Sequence, residues 1–400
     1  MQSHKKLVQI NTVCNGSTGN IMGAIQKEAM AQGFEAISLY GRSRGYRNML
    51  CEKYGNGISF WIHVIVNTLF DMQGSASIYH TKKMVHRLRE INPDIIHLHN
   101  LHGYYLNLHI LFRYLNEEYN GKVFWTFHDC WPITGHCPYF ILAKCEKWKS
   151  GCYQCANKRQ YPISYGIDRS KENYRWKKEM FNDLKDLTII CPSEWVKQTV
   201  EQSFFKDKKA IVVSNGVDQN IFYPRSETTA LEKYDIPEDK KIILGVASIW
   251  EPRKGLNDFL ALAKVLDDDY RIILVGLNKK QKEKLPDNML GILRTEKREE
   301  LAQLYTRADI FINPSWEETF SLVTVEAMAC GTPVIAMRSS AVQELVNEEN
   351  GVLLDGNSVE EYMKAIRYLE SYKLKREVVQ STVKNYTVDN MTKRIVELYK

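Results

Sequence analysis

Two glutamates, Glu318 and Glu326, are separated by seven residues in the segment Glu318-Thr-Phe-Ser-Leu-Val-Thr-Val-Glu326-Ala-Met-Ala-Cys-Gly331-Thr-Pro333. The apolar run Ile310 to Asn313 ahead of it reads as a strand, and a helix is expected to start near Ser321, with Ser321 as its cap and Gly331 and Pro333 as its stop. A strand, a turn and a helix start leave backbone N–H groups and a positive dipole end free, which is where a phosphate can sit. Glu326, inside the helix, can accept both hydroxyls of a ribose, and Glu318, in the loop, can face a sugar ring. Spacing alone favours a pair of surface glutamates on an ordinary βα unit. Arg253 and Lys254 follow another predicted strand and can project two cations suited to a diphosphate; a solvated basic turn is the simpler alternative.

Other groups could do chemistry nearer the amino terminus. The loop Asn15 to Asn20 joins a strand to a helix, and Gly16 and Gly19 permit close backbone approach to a ligand. It is neither a dinucleotide fingerprint nor a P-loop, because the spacings and the Gly-Lys-Ser/Thr are absent. His128 falls at the carboxyl end of a predicted parallel strand, the edge where open α/β sheets bind ligands. His97 reads as core, with His99 and His102 beside it. Cys137, Cys145, Cys152 and Cys155 lie close together in loop-like sequence, a set that suits either a tetrahedral structural zinc site or four reduced thiols in a folded insert. The other five cysteines read as small packing residues.

The elements that must position these groups form a repeating pattern. Leu7 to Val13, Ile95 to His99, Val123 to His128, Leu187 to Cys191 and Ala210 to Val213 read as buried strands with helices between them. The pattern restarts with Ile242 to Ser248, Arg271 to Gly276, Ile310 to Asn313 and Pro333 to Ala336. Such alternation predicts parallel sheets covered on both faces. A boundary near Asn215 gives a domain over 1–215 and a second over 216–384, with a carboxyl-terminal helix over 385–400 crossing back to the first.

With 400 residues, 44% hydrophobic and 26% charged, the chain has the composition of a two-domain globular enzyme. A net charge of +6 is too small and too dispersed for a nucleic-acid binder. The amino-terminal stretch carries no apolar leader, so a cytoplasmic protein is expected, with the inner face of the plasma membrane as a site of peripheral contact. Ile58 to Phe70 is too short to span a bilayer and reads as core packing, with an interfacial helix as the alternative.

The Glu318 to Pro333 segment resembles the signature of retaining glycosyltransferases of family 4. Further stretches fall in that family's order: Asn15-Gly16-Ser17-Thr18-Gly19, Thr126-Phe127-His128-Asp129, Ser214-Asn215-Gly216-Val217-Asp218 and Arg253-Lys254-Gly255. His97 to Gly103 and His128 to His136 look most like transferases of bacterial exopolysaccharide assembly, of the colanic-acid type. The resemblance implies a GT-B fold, two Rossmann-like doubly wound domains facing a cleft, with the acceptor on the first and a nucleoside-diphosphate sugar on the second. It implies retention at the anomeric carbon, UDP ahead of GDP, and a glycan or lipid-linked saccharide as acceptor in exopolysaccharide, capsule or lipopolysaccharide synthesis. No metal or other cofactor is implied for catalysis.

By the same resemblance Glu318, His128, Arg253 and Lys254 act on the reacting groups. Gly16, Gly19, Arg253, Lys254, Phe320, Ser321, Leu322 and Glu326 bind the donor. Where the family usually has an Arg directly following a Gly after the first strand of the second domain, this chain has Ala247-Ser248, which leaves Arg253 to supply the charge. An epimerase or phosphorylase on the same fold, or a zinc-containing binding module, are the competing readings.

Overall fold

The computed structural model describes residues 4–42 and 49–400. Residues 1–3, within the amino-terminal stretch read above for a leader, and residues 43–48 lie outside the described residues. The chain divides into two compact units, one of Met1–Ser214 with Met391–Lys400 and one of Asn215–Asn390.

The first unit is built on seven strands: β1 (Lys6–Val13), β2 (Glu35–Arg42), β3 (Cys51–Lys53), β4 (Ile95–Leu98), β5 (Lys122–Thr126), β6 (Leu187–Cys191) and β7 (Lys209–Val212). They run parallel in the order β3-β2-β1-β4-β5-β6-β7. Helices cover both faces of the sheet, so the interior strands β4 and β6 are buried at every position. Trp125, Phe112, Phe181 and Phe205 stack into the centre of this core with ring centroids 4.4 to 6.4 Å apart. Truncating any one of these rings to alanine costs about 3–5 kcal/mol.

The second unit has six parallel strands: β8 (Lys241–Val246), β9 (Tyr270–Val275), β10 (Met289–Ile292), β11 (Ile310–Asn313), β12 (Val334–Met337) and β13 (Gly351–Leu354). Their order is β10-β9-β8-β11-β12-β13. In each unit the strand order reverses beside the first strand, between β1 and β4 and between β8 and β11. Loops leaving the carboxyl ends of such a strand pair diverge onto opposite faces and open a ligand crevice. The loops that carry Arg253, Lys254 and Glu318 follow β8 and β11, and those that carry Gly16 and His99 follow β1 and β4.

Four strands escape a reading based on apolar runs. β2 opens on a glutamate and contains Ser38, Gly41 and Arg42; β3 is a three-residue edge; β10 and β13 are short and each contains a glycine. The last helix, Val388–Tyr399, brings Tyr399 fully inside the first unit, its hydroxyl 2.5 Å from Nδ1 of His97 and its ring edge-on to Phe124.

The segment expected to pack in the core does not. The helix Gly57–Phe70 buries only His63 and Asn67, while Ile58, Trp61, Ile62, Ile65, Leu69 and Phe70 face outward. The inward positions are set by polar contacts: Asn56 caps the helix on the Ser59 N–H, His63 Nδ1 pairs with Ser77 Oγ at 3.0 Å, and Asn67 Nδ2 donates to the Ile163 carbonyl at 2.9 Å. Among the described residues no helix is long and apolar enough to cross a membrane.

Candidate active site

In the second unit a short 3₁₀ turn, Pro252–Lys254, follows β8 and ends on Gly255 in the left-handed region at φ 71°. A Cβ on Gly255 would lie 2.6 Å from the ring of Pro314, so glycine lets this turn sit against the start of the loop after β11. That closeness joins the two loops. Lys254 Nζ donates to Oε1 of Glu318, and Arg253 donates through one guanidinium nitrogen to the Glu317 carbonyl at 3.0 Å and through another to Glu251 at 3.2 Å. Burial pushes the Glu318 carboxyl up, but Lys254 and Arg253 beside it, with their hydrogen bonds, outweigh this and hold it below its ordinary range. Burial pulls the Lys254 ammonium down, with Glu318 opposing. The outcome is an ionised carboxylate paired to a cation inside a largely enclosed loop junction.

The loop bearing Glu318 is fixed from the far side. Ser340, at φ 50°, accepts from the Glu318 N–H through Oγ at 2.8 Å, and Ala341 N donates to the Glu318 carbonyl at 3.2 Å. Ser321 also has a left-handed backbone, at φ 76°. Non-glycine residues hold such conformations only where the surroundings impose them, as they do at ligand sites. The cap expected at Ser321 is not formed: its hydroxyl bonds to Asn313 Nδ2 and Thr324 Oγ1, both at 2.9 Å, rather than to a backbone N–H. Asn313 at the end of β11 thereby pins the turn. The first N–H groups of the helix Leu322–Ala329, Leu322 among them, are left without side-chain caps and are available to an anion. Phe320 is buried edge-on to Tyr386, so its ring is structural and only its backbone faces the turn.

Glu326 lies on the same helix, its Oε2 3.2 Å from the hydroxyl of Tyr305, a fully buried residue. Burial raises the Glu326 carboxyl to about 7, against the opposing pull of Arg298 and of the Tyr305 hydroxyl. Tyr305, Arg298, Asn313 and Ser340 were not singled out by sequence. Their only signal is contact across elements distant in sequence.

In the first unit Gly16 opens the helix Gly16–Ala31 at φ 69°, and a Cβ on Gly19 would lie 2.5 Å from the carbonyl carbon of Cys14. The turn cannot be built with larger residues. Asn11 steadies it, donating to Val13 O at 2.9 Å and to Thr18 Oγ1 at 3.2 Å.

His128 belongs to a stack of three imidazoles, with His97 and His99 centroids 4.3 Å apart and His99 and His128 5.2 Å apart. Burial pulls His128 down to about 4 and His97 to about 3, and His99 well below the ordinary value, so all three are neutral near pH 7. The proton positions follow from their partners. Gln9 Nε2 donates to the Met22 carbonyl at 2.9 Å, which turns Gln9 Oε1 toward His99 Nε2 at 3.0 Å. His99 must therefore carry its hydrogen on Nε2, and its bare Nδ1 accepts from His128 Nε2 at 2.9 Å. Strand register makes this possible, since Gln9 on β1 is paired with His97 on β4. Beside the stack, His102 Nε2 pairs with Asp129 Oδ2 at 2.7 Å and its Nδ1 with the Tyr161 hydroxyl at 2.9 Å.

The insert after His128 is anchored by buried polar contacts. Asp71 is buried and pairs with His136 Nδ1 at 2.7 Å, while its Oδ2 accepts from Arg169 N at 3.0 Å. Lys177, also buried, donates to the carbonyls of Trp131 and Thr134, each at 2.9 Å. Cys137 and Cys155 share a thiol hydrogen bond, which raises the first thiol and lowers the second, to about 7, and Cys152 Sγ accepts from Gly135 N at 3.2 Å. Among the described residues no group of three or more His, Cys, Asp or Glu is placed so as to hold a metal ion. The zinc expectation thus finds no support in the geometry: these thiols bond to each other and to backbone instead.

Solved structures of this architecture span the chain. Sucrose-phosphate synthase from Thermosynechococcus elongatus matches with a TM-score of 0.73 at 17% identity, covering 99% of this chain and 98% of that one. HepE from Anabaena, solved in complex with UDP and glucose, matches with a TM-score of 0.68 at 17% identity over 99% of both chains. The fold is GT-B: two α/β units, each on a parallel sheet.

Residues 27–220 match Glycosyltransferase Family 4 and residues 226–385 match Glycosyl transferases group 1. D-inositol 3-phosphate glycosyltransferase of Corynebacterium urealyticum is 30% identical over 309 residues, 70% of this chain and 69% of the relative. The putative colanic acid biosynthesis glycosyl transferase WcaC of Escherichia coli is 24% identical over 366 residues, 86% of each chain. The chain belongs to the family 4 glycosyltransferases of group 1.

Proposed function

We propose that this glycosyltransferase moves a sugar from a UDP-sugar to a hydroxyl of a glycan or lipid-linked saccharide, with retention at the anomeric carbon, in cytoplasmic assembly of a bacterial surface polysaccharide. The observation that carries the reading is the Lys254–Glu318 pair beside the uncapped start of the helix Leu322–Ala329, with Glu326 one turn along it.

The donor diphosphate would lie on the N–H groups at that helix start and take Lys254 and Arg253 as counter-cations. Charge develops on the departing β-phosphate as the bond to the anomeric carbon breaks, and preorganised cations and N–H groups stabilise it most where water is excluded. Glu326 would accept the ribose hydroxyls. Glu318, held ionised by Lys254, would accept from hydroxyls of the transferred sugar and orient it. The leaving phosphate oxygen takes the acceptor's proton as the new bond forms on the same face, so no side-chain nucleophile is required. His128 and the Gly16 to Gly19 turn would serve the first unit's side of the reaction, His128 as a neutral imidazole.

UDP is favoured because HepE was solved with UDP and glucose and, in a second structure, with UDP-glucose. A polysaccharide setting is favoured by the likeness to WcaC. The test is transfer from a UDP-sugar panel to a lipid-linked saccharide, with the product's anomeric configuration read by proton NMR. A product of inverted configuration would remove the retaining mechanism, and turnover of no UDP-sugar would remove UDP as the donor.

A further inference from the structure

We propose that the helix Gly57–Phe70, with the start of the helix Ile78–Ile91, is a docking surface for an anionic lipid bilayer. The first helix is inside out. It contains no Asp, Glu, Lys or Arg, and its two buried residues are the polar His63 and Asn67. Ile58, Trp61, Ile62, Ile65 and Leu69 recur at helical spacing on the outer face, with Ile58 74% and Trp61 63% exposed. Phe70, Ile78 and the 73% exposed Tyr79 extend the same patch, and these three with Ile58 and Ile62 line a groove of about 640 Å³. Exposed apolar side chains gathered on one helix face, rather than scattered singly, mark an interaction surface.

Charge identifies the occupant. Between Lys53 and Arg89 the only acidic residue is Asp71, which is buried and bonded to His136. Lys82 and Lys83 are exposed one turn beyond Ile78 and Tyr79. At the other end of the patch the backbone of Tyr165 bonds to the Thr68 carbonyl, bringing the exposed Tyr165 and Ile167 alongside, and Lys158 Nζ donates to Gly166 O next to the exposed Arg159. An apolar centre between cationic ends matches acyl chains beneath anionic headgroups. A second copy of this chain would oppose the same cations with no exposed acid in the 53–89 segment to meet them.

The buried side of the helix leads to the candidate site. Phe60 packs edge-on to Tyr104, Tyr104 to Tyr161, and the Tyr161 hydroxyl bonds to His102, the partner of Asp129. Docking would set the loop carrying His128 close to the headgroups, where a lipid-linked saccharide presents its hydroxyls. This consequence for the acceptor rests on the proposed reaction; the docking itself does not.

The test is co-sedimentation of the full chain with vesicles of phosphatidylcholine alone and of phosphatidylcholine with phosphatidylglycerol. The expected result is at least about tenfold stronger binding to the anionic vesicles. Ile58→Ser with Ile62→Ser and Ile65→Ser should abolish it, and Lys82→Glu with Lys83→Glu should weaken it about tenfold or more. Brominated lipid should quench fluorescence in the parent and less in Trp61→Phe. All substitutions are at exposed positions, and a thermal unfolding scan confirms that each variant is folded. Failure of the parent to sediment, or sedimentation unchanged by the serine variant, would overturn the proposal. So would a concentration-dependent dimer dissolved by the serine substitutions, which would make the occupant a second copy. Vesicle binding without sugar transfer would instead remove the proposed reaction and leave the docking surface standing.

Discussion

Lys254 donates a hydrogen bond to Oε1 of Glu318 across 64 residues of sequence, joining the loops that leave β8 and β11 at the point where the strand order of the second unit reverses. A cation held by a carboxylate in this way is already positioned and partly desolvated, so a donor diphosphate recruits it without first ordering the side chain. Lys254→Ala should lower kcat/KM by about two to three orders of magnitude, the scale for removal of a preorganised charge-stabilising group. Arg253→Ala should cost less, about tenfold, because that guanidinium is partly committed to Glu251 and the Glu317 carbonyl. Steady-state kinetics with a saturating acceptor measures both.

Glu326 supplies a pH dependence with a defined sign. Its carboxyl is raised from 4.5 to about 7 by burial. The protonated form is therefore favoured in the folded protein: the group's contribution to stability is complete below pH 4.5 and is lost as pH rises through about 7. In the proposed site, ribose hydroxyls would donate to the ionised form, so UDP affinity should rise with pH by up to about tenfold per unit below this value and level off above it. Glu326→Gln should flatten the profile. Calorimetric titration of UDP across this range measures it.

The tautomer of His128 depends on a residue that does not touch it. Gln9→Leu removes the acceptor at His99 Nε2 and frees His99 to change tautomer, so the His99 to His128 hydrogen bond loses its fixed direction. Transfer should fall by about tenfold, the worth of one well-placed hydrogen bond, and Gln9→Glu should restore the acceptor. Nitrogen-15 chemical shifts of the imidazoles report the tautomers directly. Retained shifts in Gln9→Leu would contradict the relay.

Asp71 ties the outward-facing apolar helix to the insert that follows His128. Asp71→Ala strands His136 and the Arg169 N–H in a buried site and should cost about 3 kcal/mol. Urea unfolding should show a lower midpoint at unchanged slope.

The sequence made part of this arrangement legible. β6 and β11 are mostly apolar, interrupted only by Thr188 and closed by Asn313, and the limits read from sequence agree with the structure. The Ile310 to Pro333 segment announces a strand, a turn and a helix because the apolar run before the turn and Gly331 and Pro333 after the helix are local signals. The Ser321 hydroxyl could not be placed that way, since its partner Asn313 lies on another element and draws it from the backbone. Gln9, Tyr305 and Ser340 act through pairings that sheet order creates and no spacing encodes. The helix Gly57–Phe70 misled for a different reason: apolar periodicity gives the width of a face but not its direction, and here His63 and Asn67 decide that the face points outward.

The proposed reaction requires that a nucleoside-diphosphate sugar bind the second unit through Lys254 and Glu326. Thermal unfolding with a panel of UDP-, GDP- and ADP-sugars tests it most directly. A UDP-sugar at 100 times its dissociation constant should stabilise the parent chain by about 2.7 kcal/mol, and Lys254→Ala and Glu326→Ala should each lose most of that gain. Stabilisation by none of the nucleotide sugars, or by one of them equally in the parent and both variants, would contradict the account.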